Sequence, residues 1–190
     1  KHNMAPLLIV EGAELVGKSY AISQVYTRLE GDFHRSPDRL DGCHWFNCDI
    51  GLFGGPYGRL SIEHYLAMAE AITDRPIIFE KFHVSDIVYH LLYEKRKIRY
   101  TDIEERLLAR GARLIHCMTD PDPELFRARL EDRLRLYPHY RRIAKEPSFY
   151  VQQLEIYQNI LAESKLPRLT VDTSKLPNPA IANEMYEWIQ

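Results

Sequence analysis

The sequence is poor in cysteine and has no long apolar run. Only three of its 190 residues are cysteines. An odd and small number of cysteines argues against a disulfide framework and favours a reducing compartment, so we expect a cytoplasmic protein. The strongly apolar run Leu7–Val10 has four residues, whereas a membrane span needs roughly 18. No secretory segment, repeat or low-complexity stretch is visible, and we expect no membrane partner.

The sequence also has no large excess of positive or negative charge. The formal net charge is −2, which gives no global attraction to nucleic acid or anionic lipid, so any polyanion must be met by a local basic patch. Hydrophobic residues make up 45% and charged residues 27%, as in ordinary folded domains. The length predicts one domain over residues 5–190, and we interpret residues 1–4 as a tag remnant.

Short apolar segments alternate with helical patterns along the chain. Strands are predicted at Pro6–Val10, Pro76–Phe79, Leu114–Met118 and Leu169–Val171, with a further short strand near His44–Asn47. Strands separated by helices of this length imply βαβ units. We therefore predict an α/β fold with a doubly wound, mostly parallel sheet that is flanked by helices on both faces.

Side-chain signals mark several predicted helix ends. Gly31 is predicted to end the first helix, which begins at Lys18. Thr101 with Glu104 has the spacing of a capping box. Ser85 and Ser148 are further predicted caps, Asp120–Pro123 opens a long arginine-rich helix, and Pro179 is predicted at the first helical position of the last helix.

The most specific motif is Gly12–Ser19, which matches G-x-x-x-x-G-K-[ST] between an apolar strand and a helix. Backbone N–H groups of such a loop surround phosphates at a helix N-terminus. We expect Lys18 to reach the β- and γ-phosphates of ATP and Ser19 to ligate Mg²⁺. The predicted ATP contacts in this loop are Gly12, Glu14, Val16, Gly17, Lys18 and Ser19.

A second candidate site lies where the Pro76–Phe79 strand ends, at Glu80 and Lys81. Residues at the carboxyl ends of parallel strands face the ligand crevice. Glu80 is a candidate Mg²⁺ ligand or general base, and Lys81 a candidate contact to the transferred phosphate. A surface ion pair at a strand end is the alternative interpretation.

These segments resemble the thymidylate kinase and deoxynucleoside kinase families, which are P-loop kinases. Residues 11–19 are similar to the thymidylate kinase E-G-x-D-G-x-G-K-S loop, with Glu14 in place of the Asp. Residues 80–89 resemble both D-R-Y-x-x-S-x-x-A-Y and the deoxynucleoside kinase stretch E-R-S-x-x-S-D. Residues 120–124, followed by Arg129, resemble the D-x-x-P-E…R segment of thymidylate kinases. In both families an arginine stands where this chain has Lys81, which exchanges a bidentate fork for a point charge.

The resemblance implies an arginine-rich lid over the nucleotide, at about residues 133–147. Six arginines lie between Arg127 and Arg142. Among them, Arg129 and Arg133 are the predicted catalytic cations, and Arg133 and Arg135 are predicted ATP contacts. Two other interpretations are a solvated helix face and a nucleic-acid strip in which Tyr137 and Tyr140 stack on bases.

The acceptor site is the part that the motifs describe least, because residues 31–57 do not match either family. The resemblance implies that Glu14 contacts the acceptor sugar, and Arg35 the acceptor phosphate. Trp45, Phe46, Tyr57 and Phe82 are the other predicted acceptor contacts, and core packing is an equally good interpretation of Trp45, Phe46 and Tyr57. Asp38, Asp41 and Asp49 are equal candidates for a general base. The Cys43–Asp49 stretch is better explained by buried thiols and pocket aromatics than by a zinc site.

The leading functional hypothesis is an ATP- and Mg²⁺-dependent kinase acting on a pyrimidine deoxynucleoside monophosphate such as dTMP, or on a deoxynucleoside. One alternative keeps the fold and phosphorylates a hydroxymethylated pyrimidine within DNA. Another is a nucleotide-binding switch without transfer activity. A homodimer is possible, because relatives with this fold often pair through helices.

Overall fold

The computed structural model describes residues 3–190. Lys1 and His2, half of the segment interpreted as a tag remnant, lie outside the described residues. The elements, in chain order, are β1 Leu7–Glu11, α1 Lys18–Phe33, β2 His44–Asn47, α2 Gly58–Ala71, β3 Ile77–Glu80, α3 His83–Glu94, α4 Thr101–Arg110, β4 Ala112–Met118, α5 Pro123–Leu136, a 3₁₀ helix Pro138–Arg142, α6 Pro147–Ala162, β5 Arg168–Asp172 and α7 Ala180–Ile189.

The five strands form one parallel sheet with the order β2-β3-β1-β4-β5. Val10 and Asn47 both lie opposite Glu80, and Glu11 lies opposite His116. The last residues of β1, β2 and β3 therefore meet at one edge of the sheet. This architecture confirms the predicted α/β fold with a parallel sheet flanked by helices.

The core is continuous across the sheet. Every residue of β1 and of β3 is buried, as expected of central parallel strands with helices on both faces. On the helical layers, α1 packs against α7, and α3 and α5 pack against α6. Strand β2 lies at the sheet edge, where Trp45 and Asn47 are exposed and Phe46 is half-buried. No helix within residues 3–190 is long and apolar enough to cross a membrane.

Two predicted helix ends are wrong. Helix α1 continues through Gly31 to Phe33, since Gly31 does not adopt the left-handed conformation that commonly ends a helix. The capping box of α4 does not form. Tyr100 is the N-cap residue without a side-chain cap, and the Glu104 carboxylate accepts hydrogen bonds from Ser164 Oγ and Lys165 N instead.

The predicted serine caps at Ser85 and Ser148 are also wrong. Ser85 lies inside α3, and its hydroxyl donates to Glu11 Oε1 over 2.6 Å. Helix α6 begins one residue before Ser148 with no side-chain cap, and α7 begins directly after Pro179. The predicted start of α5 is confirmed, since Asp122 caps it by accepting the Glu124 N–H over 3.0 Å.

Candidate active site

The phosphate loop needs glycine at two positions. Gly12 has φ +155°, and a Cβ there would lie 2.6 Å from the Cys117 carbonyl oxygen of neighbouring β4. Gly17 has φ +96° directly before α1 begins. Any side chain at Gly12 would collide with the backbone of β4, and any side chain at Gly17 would make its positive φ unfavourable. The loop therefore turns sharply from β1 into the N-terminus of α1.

Lys18, the first residue of α1, folds back over that loop. Its ammonium donates to the carbonyl oxygens of Gly12 and Ala13, each over 2.8 Å. Burial, together with the nearby positive charge of Lys81, lowers the Lys18 pKa to about 8. An anion at this position would both pair with the ammonium and restore its ordinary pKa, so the site is suited to phosphate.

A cleft of about 340 Å³ opens beside the loop at the carboxyl edge of the sheet. Its walls come from the phosphate loop, the ends of β2 and β3, and the segment from α5 to residue 143. The charged and hydroxyl groups that line it include Lys18, Ser19, Asp49, Glu80, Lys81 and Arg133. The structure thus brings together the predicted phosphate, metal and strand-end residues.

Glu80 ends β3 with both carboxylate oxygens held. Oε2 lies 3.4 Å from Ser19 Oγ, and Oε1 accepts the Trp45 indole N–H over 3.1 Å. A serine hydroxyl beside a carboxylate is an oxygen donor set that suits Mg²⁺, which is usually held by one or two protein oxygens plus substrate phosphates. Within residues 3–190 no cluster of three or more His, Cys, Asp or Glu side chains forms a metal site. The donor set fits a shared site for a metal–nucleotide complex.

Lys81 lies against Asp49, and this contact distinguishes the three candidate bases. Lys81 Nζ is 3.7 Å from Asp49 Oδ2, and both side chains are mostly buried. Asp38 is on the surface, with a side chain 83% exposed. Asp41 accepts the backbone N–H groups of Arg35 and Ser36, outside the cleft. Of these three aspartates, only Asp49 lines the phosphate cleft.

Glu11, which the sequence analysis did not single out, fixes the strand end that carries Glu80 and Lys81. Its buried carboxylate accepts Phe82 N over 3.1 Å, Ser85 N over 3.0 Å and the Ser85 hydroxyl. Burial raises the pKa of Glu11. The available signal was its position, since a carboxylate directly before the first glycine of the motif ends a buried strand.

The arginine segment divides into different environments. Arg133 lines the cleft with its guanidinium over the Tyr140 ring, 5.1 Å from the centroid. Arg129 instead donates to the carbonyl oxygens of Leu15 (3.1 Å), Thr173 and Ser174 (3.3 Å), so it joins the phosphate loop to the residues after β5. The predicted direct catalytic contact is therefore not seen for Arg129, because backbone carbonyls occupy its guanidinium.

Arg135 also lies away from the cleft. It is exposed and pairs with Asp132 over 2.8 Å, one turn away on α5. Arg127 similarly pairs with Glu124 over 3.3 Å. These two side chains fit the alternative interpretation of a solvated helix face.

The predicted acceptor contacts are only partly brought together. Glu14 lines the cleft, and its N–H donates to Gln153 Oε1 over 2.8 Å. Phe82 is fully buried and stacks on Phe79 with centroids 4.6 Å apart, so an acceptor cannot reach it. Arg35 forms a 3.0 Å surface pair with Asp74, outside the cleft.

The three aromatic residues predicted at the acceptor also differ in position. Tyr57 is 59% exposed and does not line the cleft. Phe46 packs against Tyr65 and Phe79 in the core. Trp45 donates its indole N–H to Glu80, and the Tyr26 ring packs beside it with the centroids 6.0 Å apart. Trp45 therefore does not present both ring faces to a base.

A tyrosine cluster that the sequence analysis missed lies behind Glu14. Tyr89, Tyr150 and Tyr157 are buried, and burial together with the negative charge of Glu14 raises the pKa of each. Gly54 lies directly on Tyr89, since a Cβ there would be 2.8 Å from the tyrosine Cβ. These three side chains pack behind the cleft and do not belong to its lining, in which the tyrosine is Tyr140.

The cysteines of the unmatched region are buried free thiols. Burial and the nearby Glu30 carboxylate raise the pKa of Cys43 to about 12, and burial raises that of Cys48 still further. Such thiols remain protonated and pack as small apolar groups.

No family model matches the sequence, and no curated protein matches it either. Solved structures do match. The YorR protein of Bacillus subtilis, in complex with phosphorylated GDP, has a TM-score of 0.67 and 19% identity over 96% of this chain and 95% of its own. Polyphosphate kinase 2 of Arthrobacter aurescens TC1 has a TM-score of 0.58 and 14% identity, over 99% of this chain and 65% of its own.

Another similar structure is the deoxyadenosine kinase of M. mycoides with the products dCMP and dCDP. It has a TM-score of 0.53 and 12% identity over 95% of this chain and 96% of its own. At sequence identities this low, a similar structure shows a shared fold and does not establish a shared activity. The comparisons show that this chain has the fold of P-loop kinases.

Proposed function

We propose that this chain is an ATP- and Mg²⁺-dependent kinase that phosphorylates a hydroxyl of a nucleoside-type acceptor. One observation carries the proposal: Lys18, Ser19, Glu80, Lys81 and Arg133 line a single cleft at the carboxyl edge of the sheet. Three cations that converge on one cleft suit the phosphates of ATP and the charge that develops in phosphoryl transfer. The fold is compatible, since it also carries deoxyadenosine kinase.

The donor side of the cleft is built for ATP. The phosphate loop would surround the β- and γ-phosphates with backbone N–H groups, and Lys18 would leave its carbonyl partners to pair with them. Ser19 and Glu80 would hold Mg²⁺, which would neutralise charge on the nucleotide phosphates. Lys81 and Arg133 would contact the equatorial oxygens of the transferred group.

Asp49 supports a hydroxyl acceptor. A neutral hydroxyl must lose its proton as it attacks, and a carboxylate within hydrogen-bond reach can take it. In the proposed step the acceptor oxygen bonds to the γ-phosphorus, the bond from phosphorus to the bridging oxygen breaks, and ADP leaves. The hydroxyl proton passes to Asp49, whose pairing with Lys81 holds it at the phosphate end of the cleft.

The charge of the acceptor side favours a nucleoside over a monophosphate. Glu14 and Asp49 place two carboxylates there, and Lys81 is already paired with Asp49. Arg35, the cation predicted for an acceptor phosphate, lies outside the cleft with Asp74. The phosphate of a monophosphate acceptor would therefore lie beside two carboxylates, Glu14 and Asp49. The leading alternative, a monophosphate such as dTMP, needs Arg133 or another lid arginine to compensate that charge.

The lid remains part of the proposal. Residues 133–147 include the end of α5, the 3₁₀ helix and the link to α6, and they approach the cleft through Arg133, Tyr140 and Ile143. A hinged segment of this kind can exclude water from the reacting phosphate. In a closed form Arg135, now paired with Asp132, would come within reach of the nucleotide.

The test is transfer of label from γ-labelled ATP to a panel of acceptors. The panel contains deoxynucleosides, deoxynucleoside monophosphates including dTMP, and DNA with and without hydroxymethylated pyrimidines. We expect label on a deoxynucleoside. Lys18→Ala should remove the activity, while Arg96→Ala, a surface arginine paired with Glu94, should leave it unchanged.

Other outcomes would redirect the assignment. Label on monophosphates alone would contradict the hydroxyl acceptor but keep the kinase. Label on DNA alone would favour a polymer substrate. ATP binding without transfer to any acceptor would contradict the kinase and leave a nucleotide-binding switch.

A further inference from the structure

A second cleft, of about 390 Å³, shares no lining residue with the phosphate cleft. It lies between α3, the connection 97–100, α4 and the C-terminal end of α6. Its volume falls in the range of pockets that hold small organic ligands, roughly 300–1,000 Å³. No step of the proposed kinase reaction uses it.

The lining of this cleft has two parts. Apolar side chains form one part, and they are Val84, Ile87, Ile98, Tyr100, Leu108 and Ile160. Leu108 is 41% exposed, which leaves apolar surface at the mouth open to solvent. Cations form the other part, from Lys97, Arg99 and Lys165.

Two of these cations have no partner. Lys97 pairs with Glu163 over 2.7 Å. In the part of the chain that the structure describes, the side chains of Arg99 and Lys165 make no ion pair and no hydrogen bond. The Glu104 carboxylate also lines the cleft, where it accepts Ser164 Oγ and Lys165 N and lies 2.7 Å from His83 Nε2. The apolar pocket is thus lined by two cations without ion-pair partners among the described residues, Arg99 and Lys165, and by the carboxylates of Glu104 and Glu105.

The cleft also connects to the strand end of the phosphate site. His83, at its inner wall, is 1% exposed, and its Nε2 lies 2.7 Å from Glu104 Oε2, whereas its Nδ1 is buried and has no hydrogen-bond partner among residues 3–190. His83 follows Phe82 and begins α3, whose first turn Glu11 holds through Phe82 N and Ser85 N. A ligand that moves His83 would therefore act on the turn that carries Lys81.

We propose that this second cleft is a regulatory ligand site for a small molecule with an apolar body and one anionic group. The apolar lining would cover the body, and Arg99 and Lys165 would pair with the anion at the mouth. Binding would order the first turn of α3 through His83. The site is assigned from its own lining, so it does not depend on the proposed phosphoryl transfer.

The test uses 8-anilino-1-naphthalenesulfonate, which combines a flat apolar body with one sulfonate, and its uncharged analogue N-phenyl-1-naphthylamine. We expect saturable binding of the sulfonate at one site per chain. Reversing both charges, with Arg99→Glu and Lys165→Glu, should lower the affinity for the sulfonate about fivefold or more. The affinity for the uncharged analogue should change less than twofold. The matched surface control Arg39→Glu should change the affinity for neither compound.

A second pair of variants tests the location. Leu108→Glu, at the mouth of the cleft, should lower the affinity for the sulfonate. Leu60→Glu should leave that affinity unchanged, because Leu60 is an exposed leucine on α2 that does not line the cleft. Lys18→Ala, in the phosphate cleft, should leave binding intact. Binding that survives the charge reversal and Leu108→Glu, or is lost in Lys18→Ala, would overturn the site.

Hydrogen exchange tests the link to α3. With the sulfonate bound, amides of residues 82–86 should exchange more slowly, along with those of 97–101. Protection confined to 97–108 and 160–165 would overturn the regulatory connection, because it would show that occupancy does not reach the turn after Glu80.

Discussion

Replacing Asp49 with asparagine tests the proposed chemistry most directly, because the substitution keeps the size of the side chain and removes the base. Asp49 Oδ2 lies 3.7 Å from Lys81 Nζ, and of the three candidate aspartates Asp49 is the one that lines the phosphate cleft. A positioned general base contributes about 10²–10⁴-fold, or roughly 3–5 kcal/mol of activation free energy. We expect Asp49→Asn to lower kcat on a hydroxyl acceptor by about that factor.

Donor binding should respond differently. At an effective dielectric constant of about 20, unit charges near 4 Å attract by about 4 kcal/mol before desolvation is subtracted. Asp49→Asn removes that attraction and leaves the Lys81 ammonium free for phosphate. The KM for ATP should therefore stay the same or fall.

The assay is steady-state transfer with the best acceptor of the panel, measured from pH 5 to 9. Asp38→Asn, in an exposed side chain outside the cleft, is the matched control and should behave as wild type. Retention of more than a tenth of wild-type kcat by Asp49→Asn on a hydroxyl acceptor would refute the assigned base. On a monophosphate acceptor, which is already anionic, the same substitution should not slow transfer.

Three further predictions follow from individual contacts. Trp45→Phe keeps the ring beside Tyr26 but removes the N–H donor to Glu80, and it should lower kcat about tenfold and raise the Mg²⁺ concentration needed for half-maximal rate. Lys18 has a pKa lowered to about 8 from 10.5, so between these values the unfolded chain binds more protons and the Lys18 contribution to stability rises with pH. The stability advantage of Lys18→Met over wild type in urea should therefore shrink by about 1–2 kcal/mol from pH 8 to 9.5, and a constant gap would contradict the lowered pKa. Arg110→Met should cost about 2–4 kcal/mol, because buried Arg110 donates to the carbonyls of Ala69 (2.7 Å), Ala5 (3.0 Å) and Ile72 (3.0 Å), while exposed Arg96→Met should cost almost nothing.

The phosphate loop could be predicted because its information is local. Two glycines with positive φ, a lysine and a serine lie within eight residues, and the adjacent strand is apolar throughout. The parallel sheet followed from the alternation of apolar strands and helices, and only β2 was weakly signalled. As a four-residue edge strand with alternating burial, β2 has neither the length nor the continuous apolar run of a central strand.

Contacts between distant residues could not be predicted in this way. Glu104 has the spacing of a capping box, but Ser164, 60 residues later, and His83 take its oxygens. Glu11 and Ser85 are 74 residues apart, and Arg129 and Leu15 are 114 apart. In each case a polar side chain pairs with a partner that only the tertiary fold supplies, and local capping or charge patterns lose that competition.

Lys81 shows how the cleft combines function with backbone strain. It has φ +60° directly after β3, a conformation that costs a residue with a side chain about 1–2 kcal/mol, and its ammonium reaches Asp49 from there. Lys81→Ala should remove the charge and keep the strain, whereas Lys81→Gly should remove both. We therefore expect both variants to lose phosphoryl transfer, and Lys81→Gly to be about 1 kcal/mol more stable than Lys81→Ala in urea unfolding. Equal stability of the two variants would show that the turn is unstrained, and the residue type at this position would then be explained by its charge alone.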